Sequence, residues 1–336
     1  MQLPPLQVTQ ALVGRYCRLL HRYRDDLGER QLVLPNGQFF PDKFSGDVDS
    51  VRSLVARMQA HAGLPDVPLT VELVPHESPG SGASSCGSGG CSVPQSGSGL
   101  ERLVDQGDSW LLRVSDAELR HPVALTTNLA RSLAFIFLVE TQREGEVLEP
   151  PVDVTADLIA VALGFGPLML QGSYIYAKGC GGPQVASVTK VGVAELAVVV
   201  ALFGLLGEHH MSLALRELDV TQRALLAEAH ELLRSNPALI ARIRRSPLDV
   251  STLDFQLAPS KSFIARFFST KKKQKPQSGV RMEAISADMD LDEVESLLID
   301  MPPSSRAGRS LSSRPPDARK AELSSLVADA FKDVSA

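Results

Sequence analysis

Pro122–Leu170, PVALTTNLARSLAFIFLVETQREGEVLEPPVDVTADLIAVALGFGPLML, holds two apolar runs joined by a short acidic, proline-containing connection. Proline at position 122 suits the first turn of a helix, where its missing N–H would be unpaired anyway. The runs read as two long buried helices, and they set the fold because the rest of the chain has to cover them. Each carries a pair of positions one helical turn apart: Arg131 and Phe135 on the first, Asp153 and Asp157 at the start of the second.

Outward from this pair, the composition supports a sizeable core. Of 336 residues 44% are hydrophobic and 22% charged, as in a globular protein, and the aromatic share of 5% predicts a core of Leu, Val and Ala. A net charge of -5 argues against a general nucleic-acid binder. Leu158–Leu170 and Val191–Leu206, the latter interrupted by Glu195, fall short of the ~20 apolar residues of a membrane span and read as buried helices. Met1 to Gly14 lacks the basic start and apolar run of a signal peptide. Four cysteines do not make a disulfide framework in a chain of this size, so the expected location is cytoplasmic.

Leu6 to Leu27 has helical periodicity, with Arg15, Arg18, Arg22 and Arg24 read as a solvated face. Pro35, Asn36-Gly37 and Pro41-Asp42 mark a turn region pinned by Phe39, Phe40 and Phe44. A helix is predicted from Asp47 to Ala62, capped by Asp47 or Asp49 and stopped by Gly63. Leu69–Val74 and Trp110–Val114 read as strands, which pair across the Gly/Ser-rich insertion 78–99. Further helices are expected at Gly192–Leu206, Thr221–Ser235 and Pro237–Arg245, with Glu208-His209-His210 at the surface and His230 as a packed or capped imidazole. The order of elements is an α+β layout: a mostly helical domain at 1–258 with a small two- to three-stranded sheet, then a flexible tail at 259–336.

The central pair resembles the zinc helices of gluzincin-type metallopeptidases. In that pattern H-E-x-x-H on a buried helix gives two zinc-binding imidazoles and a water-activating glutamate, and a following E-x-x-A-D gives a third ligand and a supporting aspartate. Leu129 to Leu138 is similar to the first helix and Asp153-Val-Thr-Ala-Asp157 to the second; the likeness covers about 47–170. Arg131, Ser132 and Phe135 stand where the family has histidine, glutamate and histidine, Asp153 replaces the ligand glutamate, and Asp157 is unchanged. Neither Arg nor Phe has a lone pair to give. The resemblance therefore implies a zincin-like fold without zinc, any other cofactor or hydrolysis, in which Arg131 and the two aspartates form a buried ion pair at the former metal position. Two ordinary core helices with aspartates at a helix N-terminus account for the same letters.

Other chemistry-bearing residues are sparse. Cys86 and Cys91 sit in the insertion without the four ligands of a zinc site. Gly172 to Pro183 reads as a glycine-rich loop in which Cys180 beside Lys178 offers an alternative enzymatic reading, although no general base is placed nearby. In the tail, Phe263, Phe267 and Phe268 with Lys271, Lys272 and Lys273 give 261–275 the pattern of an acidic-partner or membrane-surface segment, or of a last helix packed on the core. Two amphipathic islands follow. The first, 288–301, presents Leu291, Val294, Leu297 and Leu298; the second, 318–334, presents Leu323, Leu326, Val327 and Phe331. Short amphipathic helices in a disordered setting suit docking to a partner's groove, and folding back on the domain remains the other reading. The sequence thus points to a non-enzymatic adaptor that binds protein partners through its tail.

Overall fold

The computed structural model describes residues 2–75, 101–143, 146–179, 182–252 and 255–258. These form an α+β domain of helices with one three-stranded sheet and one two-stranded sheet. The chain runs α1 (Leu6–Arg22), α2 (Arg24–Leu27), α3 (Val48–Ala62), β1 (Leu69–Val74), β2 (Leu103–Asp105), β3 (Trp110–Ser115) and α4 (Pro122–Glu140). It continues through α5 (Val152–Ala160), a π-helical turn (Val161–Phe165), α6 (Gly166–Ser173), β4 (Ile175–Gly179) and β5 (Gly182–Ala186). Last come α7 (Val193–Leu206), α8 (Met211–Glu217), α9 (Val220–Arg234), α10 (Pro237–Arg245) and α11 (Leu248–Ser251).

Helices α4 and α7 form the centre because neither has a polar side to show to water. Residues Leu196 to Gly204 are buried without a break, and α7 packs on α9, α6, α1 and α10. Helix α4 packs on α5, α6 and α3. By length and composition Pro122–Glu140 and Val152–Ser173 could each cross a membrane, but 72% and 83% of their apolar windows are buried inside the protein.

The sheet lies beside α3. Strand β3 is central, parallel to β1 with Leu69 opposite Trp110 and antiparallel to β2 with Leu103 opposite Leu112. Trp110, Leu112 and Val114 face the core in alternation with Leu111 and Arg113. Because β1 and β3 are parallel, no tight hairpin turn can join them.

Local signals decide several boundaries. Asp47 accepts from the Ser50 N–H at 2.8 Å and caps α3, while Gly63 ends it in the left-handed region at φ 70°. Phe39 and Phe40 pack against the core and meet His61 edge-on, whereas Phe44 is exposed.

Four expectations are corrected. The second central helix does not run unbroken to Leu170: Gly164 adopts φ 100°, and its carbonyl accepts from the Val33 N–H at 2.9 Å. A Cβ at Gly164 would lie 2.1 Å from the Gln31 carbonyl oxygen, so the segment around Gln31–Val33 crosses the helix where only glycine fits. The stretch expected as a loop after Gly172 forms the β4–β5 hairpin, with Ile175 opposite Ala186 and Gly179 opposite Gly182. The solvated face expected of Arg15, Arg18, Arg22 and Arg24 holds only in part: Arg18 and Arg24 are exposed, but the first three also bind the connection between the central helices. Arg18 and Arg22 pair with Glu149 and Glu146 at 3.2 and 2.8 Å, and Arg15 donates to the Pro150 and Pro151 carbonyls and to Thr155 Oγ1, so α1 anchors the connection between the central helices. His209 is half-buried and stacks on Phe203 with ring centroids 5.0 Å apart, while Glu208 and His210 are exposed as expected.

Candidate functional site

The buried face of α4 carries polar groups that a core helix of pure packing would lack. Thr127 Oγ1 donates to the Leu168 carbonyl at 2.9 Å and holds α6 close. At Gly172 a Cβ would lie 2.2 Å from that hydroxyl, which is why α6 needs glycine there. One turn further on, Arg131 is 1% exposed and extends toward α5.

Every nitrogen of the Arg131 guanidinium is engaged. Nε donates to Asp157 Oδ1 at 2.5 Å, Nη2 to Asp153 Oδ1 at 3.0 Å and Nη1 to the Val188 carbonyl at 3.0 Å. Asp157 is fully buried, and its other oxygen accepts from the Lys190 and Val191 N–H groups at 2.6 and 2.9 Å. Asp153 is partly open to solvent, its side chain 25% exposed. Burial pushes the Asp157 carboxyl above its ordinary value; the Arg131 charge and the two N–H donors oppose that shift.

Of the five positions singled out from the sequence, the structure brings together Arg131, Asp153 and Asp157. Ser132 is buried on α4, and its hydroxyl has no partner among the described residues. Phe135 meets Trp110 edge-on at 6.3 Å, and the Trp110 indole N–H donates to Glu140 at 2.7 Å, so Phe135 ties α4 to the sheet. The stretch Ser187–Val191 was not anticipated as part of the site. It is shaped by its own hydroxyls: Thr189 Oγ1 donates to the Val191 carbonyl at 2.8 Å, and the Thr189 N–H donates to Ser187 Oγ at 3.3 Å. The Ser-Val-Thr pattern was the available signal, since such hydroxyls favour local turns.

A second buried ionic group also went unread. Glu118 is fully buried beside Arg102, with which it pairs, and accepts from Asn128 Nδ2 at 2.7 Å. It joins β2, the turn before α4, and α4 itself.

Chemically, the Arg131–Asp157 pair is already engaged, while the Asp153 side chain keeps partial exposure to solvent. Arginine offers no lone pair, and both Asp157 oxygens already accept hydrogen bonds. Among the described residues no three His, Cys, Asp or Glu side chains converge as metal ligands. The arrangement is a clamp that fixes α4, α5 and the 188–191 strap to one another.

Cys86, Cys91 and Cys180 lie outside the described residues, as does the Lys178 side chain. So do the segment with Phe263, Phe267, Phe268 and Lys271 to Lys273, and both amphipathic islands. Cys17, in α1, is a buried free thiol that burial pushes up to about 12. Neither a protein-family model, nor a curated protein, nor a solved structure matches this chain.

Proposed function

We propose that this chain is a non-catalytic cytoplasmic adaptor. Its domain resembles a gluzincin-type metallopeptidase whose metal position is taken by the Arg131 cluster, and its partners are proteins held by the amphipathic segments 288–301 and 318–334. The engagement of all three Arg131 guanidinium nitrogens supports this reading most. Three donor directions end on Asp153, Asp157 and the Val188 carbonyl, so the guanidinium supplies beside Asp153 the positive charge that a zinc ion would supply to a ligand carboxylate at that position. A site filled in this way leaves the domain as a rigid base, and the recognition chemistry falls to the apolar faces of Leu291, Val294, Leu297 and Leu298 and of Leu323, Leu326, Val327 and Phe331.

Two measurements on the full-length protein test this. Elemental analysis of the purified protein should find zinc far below one per chain, unchanged in Asp153→Ala; stoichiometric zinc lost in that variant would overturn the reading of the domain. Co-precipitation should lose its specific partners when Leu297, Leu298, Leu326 and Phe331 are all changed to Asp. An identical partner set would overturn the adaptor reading.

A further inference from the structure

The chain has three asparagines, and their surroundings differ in chemistry: Asn36, Asn128 and Asn236. Asn128 is fully buried within α4. Asn236 precedes Pro237, whose ring nitrogen carries no N–H. Asn36 precedes Gly37 in the turn that follows the buried stretch Leu32–Leu34; Asn36 is half-buried there, and Gly37 and Gln38 are exposed.

The backbone does not require glycine at position 37. Its φ lies outside the left-handed region, and a Cβ would meet nothing within 4 Å. What glycine leaves open is its nitrogen. The Gly37 N–H has no hydrogen-bond acceptor among the described residues, and no side chain of its own crowds it. The neighbouring Asn36 amide is held at both ends. The Gln38 N–H donates to Asn36 Oδ1 at 3.1 Å, which closes a ring containing the Gly37 nitrogen. That donor also faces the oxygen on which negative charge develops when a nucleophile adds to Cγ. Asn36 Nδ2 donates to Glu217 Oε1 at 3.0 Å, so the amide is fixed in orientation before any reaction.

We propose that Asn36 is a self-modifying site, at which water replaces the side-chain amide in the folded protein and unties this turn from α8. The Gly37 nitrogen gives up its proton to solvent base and bonds to Asn36 Cγ. The Cγ–Nδ2 bond breaks, and Nδ2 takes a proton from water and leaves as ammonia, so a five-membered succinimide remains. Water then opens that ring at Cγ to give aspartate, or at the main-chain carbonyl to give isoaspartate. In sum, one amide and one water become one carboxylate and one ammonium ion, with no change of oxidation state. The step draws on no part of the Arg131 cluster, so it stands apart from the function proposed above.

The product has no donor for Glu217. A carboxylate oxygen takes the place of Nδ2 beside Glu217 Oε1, and a hydrogen bond becomes a like-charge contact. Glu217 is the last residue of α8, and its carbonyl accepts from Gln171 Nε2 of α6 at 2.9 Å, so α8 stays anchored while the turn is released. Isoaspartate goes further. It converts the Asn36 carbonyl, which accepts from the Phe39 and Phe40 N–H groups at 3.2 and 3.0 Å, into a free carboxylate.

Ageing the full-length protein in mildly alkaline water enriched in oxygen-18 tests this, with peptide masses read after digestion in ordinary water. The Asn36 peptide should lose its amide and carry the heavy oxygen, while the Asn128 and Asn236 peptides stay unchanged. Gly37→Ala should fold as the unaltered protein does, because its Cβ has open space, and should slow the conversion at least about tenfold. Hydrogen exchange over 35–40 should quicken in the aged protein and in Asn36→Asp alike. An Asn36 amide that survives in the folded protein, over a period in which the chain in denaturant loses it, would overturn the proposal, and this comparison needs no variant. Conversion as fast in Gly37→Ala, or unchanged exchange in Asn36→Asp, would overturn it as well.

Discussion

Arg131 on α4 and Asp157 on α5 meet at 2.5 Å with side chains 2% and 0% exposed, and each is held by backbone groups of the 188–191 strap. Such a pair need not exceed a well-packed apolar pair in stability, but half of it is costly to bury alone. Arg131→Ala and Asp157→Ala should each lose about 3–5 kcal/mol in denaturant unfolding. The double variant should lose clearly less than the sum, because the second removal no longer strands a charge. Additive losses would show that the two side chains act independently.

Gly164→Ala should be among the most damaging small changes in the domain. Its φ of 100° is strained for any other residue, and the added Cβ would lie 2.1 Å from the Gln31 carbonyl oxygen. Backbone strain alone costs of order 1–3 kcal/mol, and the displaced strap adds to it. Gly107→Ala is the control: φ is 86° there too, but nothing lies within 4 Å of the new Cβ. Thermal melting should place Gly164→Ala well below Gly107→Ala; equal melting temperatures would remove the strap contact as the reason for glycine.

These two features show where the sequence is informative. Helix α4, the Asp47 and Gly63 caps of α3, and α10 at Pro237–Arg245 are legible because side-chain periodicity and cap chemistry act within a few residues. The pairing of Arg131 with Asp153 and Asp157 was approachable, since charges placed in apolar runs must find partners. The donors from Lys190 and Val191 were not, because a backbone N–H has no letter of its own. The break at Gly164 is set by a strap more than 130 positions earlier in the chain, and no local pattern reports it. Arg15, Arg18 and Arg22 have the spacing of a solvated face, and only the position of the 146–155 connection makes them anchors. Arg102, Glu118 and Asn128 went unread for the same reason: each looks ordinary until three elements meet.

His209 gives the domain a pH response. Burial lowers its pKa below the ordinary value of 6.5, and the same holds for His230. As pH falls below about 6.5 the unfolded chain takes up protons that the folded imidazoles resist, so stability declines toward acid. The contribution is fully present above 6.5 and is lost down to the depressed folded value. His209→Gln should flatten part of the decline in melting temperature between pH 7 and pH 5. A slope identical to that of the unaltered protein would place the proton uptake elsewhere.

Cys17 should be chemically silent in the folded protein. Its side chain is fully buried in α1, and its thiol is pushed up to about 12, first by burial and against the opposing charge of Arg18. At pH 8.5 roughly one thiol in a thousand or fewer would be ionised, and the thiolate is the form that reacts. Iodoacetamide treatment under native conditions should therefore leave the Cys17 peptide unmodified by mass spectrometry. In denaturant, where the thiol returns to its ordinary range, the same peptide should be labelled within minutes. Because α1 packs on α7 and α11, native labelling that rises with added denaturant before the global transition would mean α1 opens separately from the core. Labelling that appears only with global unfolding would place α1 and the central helices in one cooperative unit.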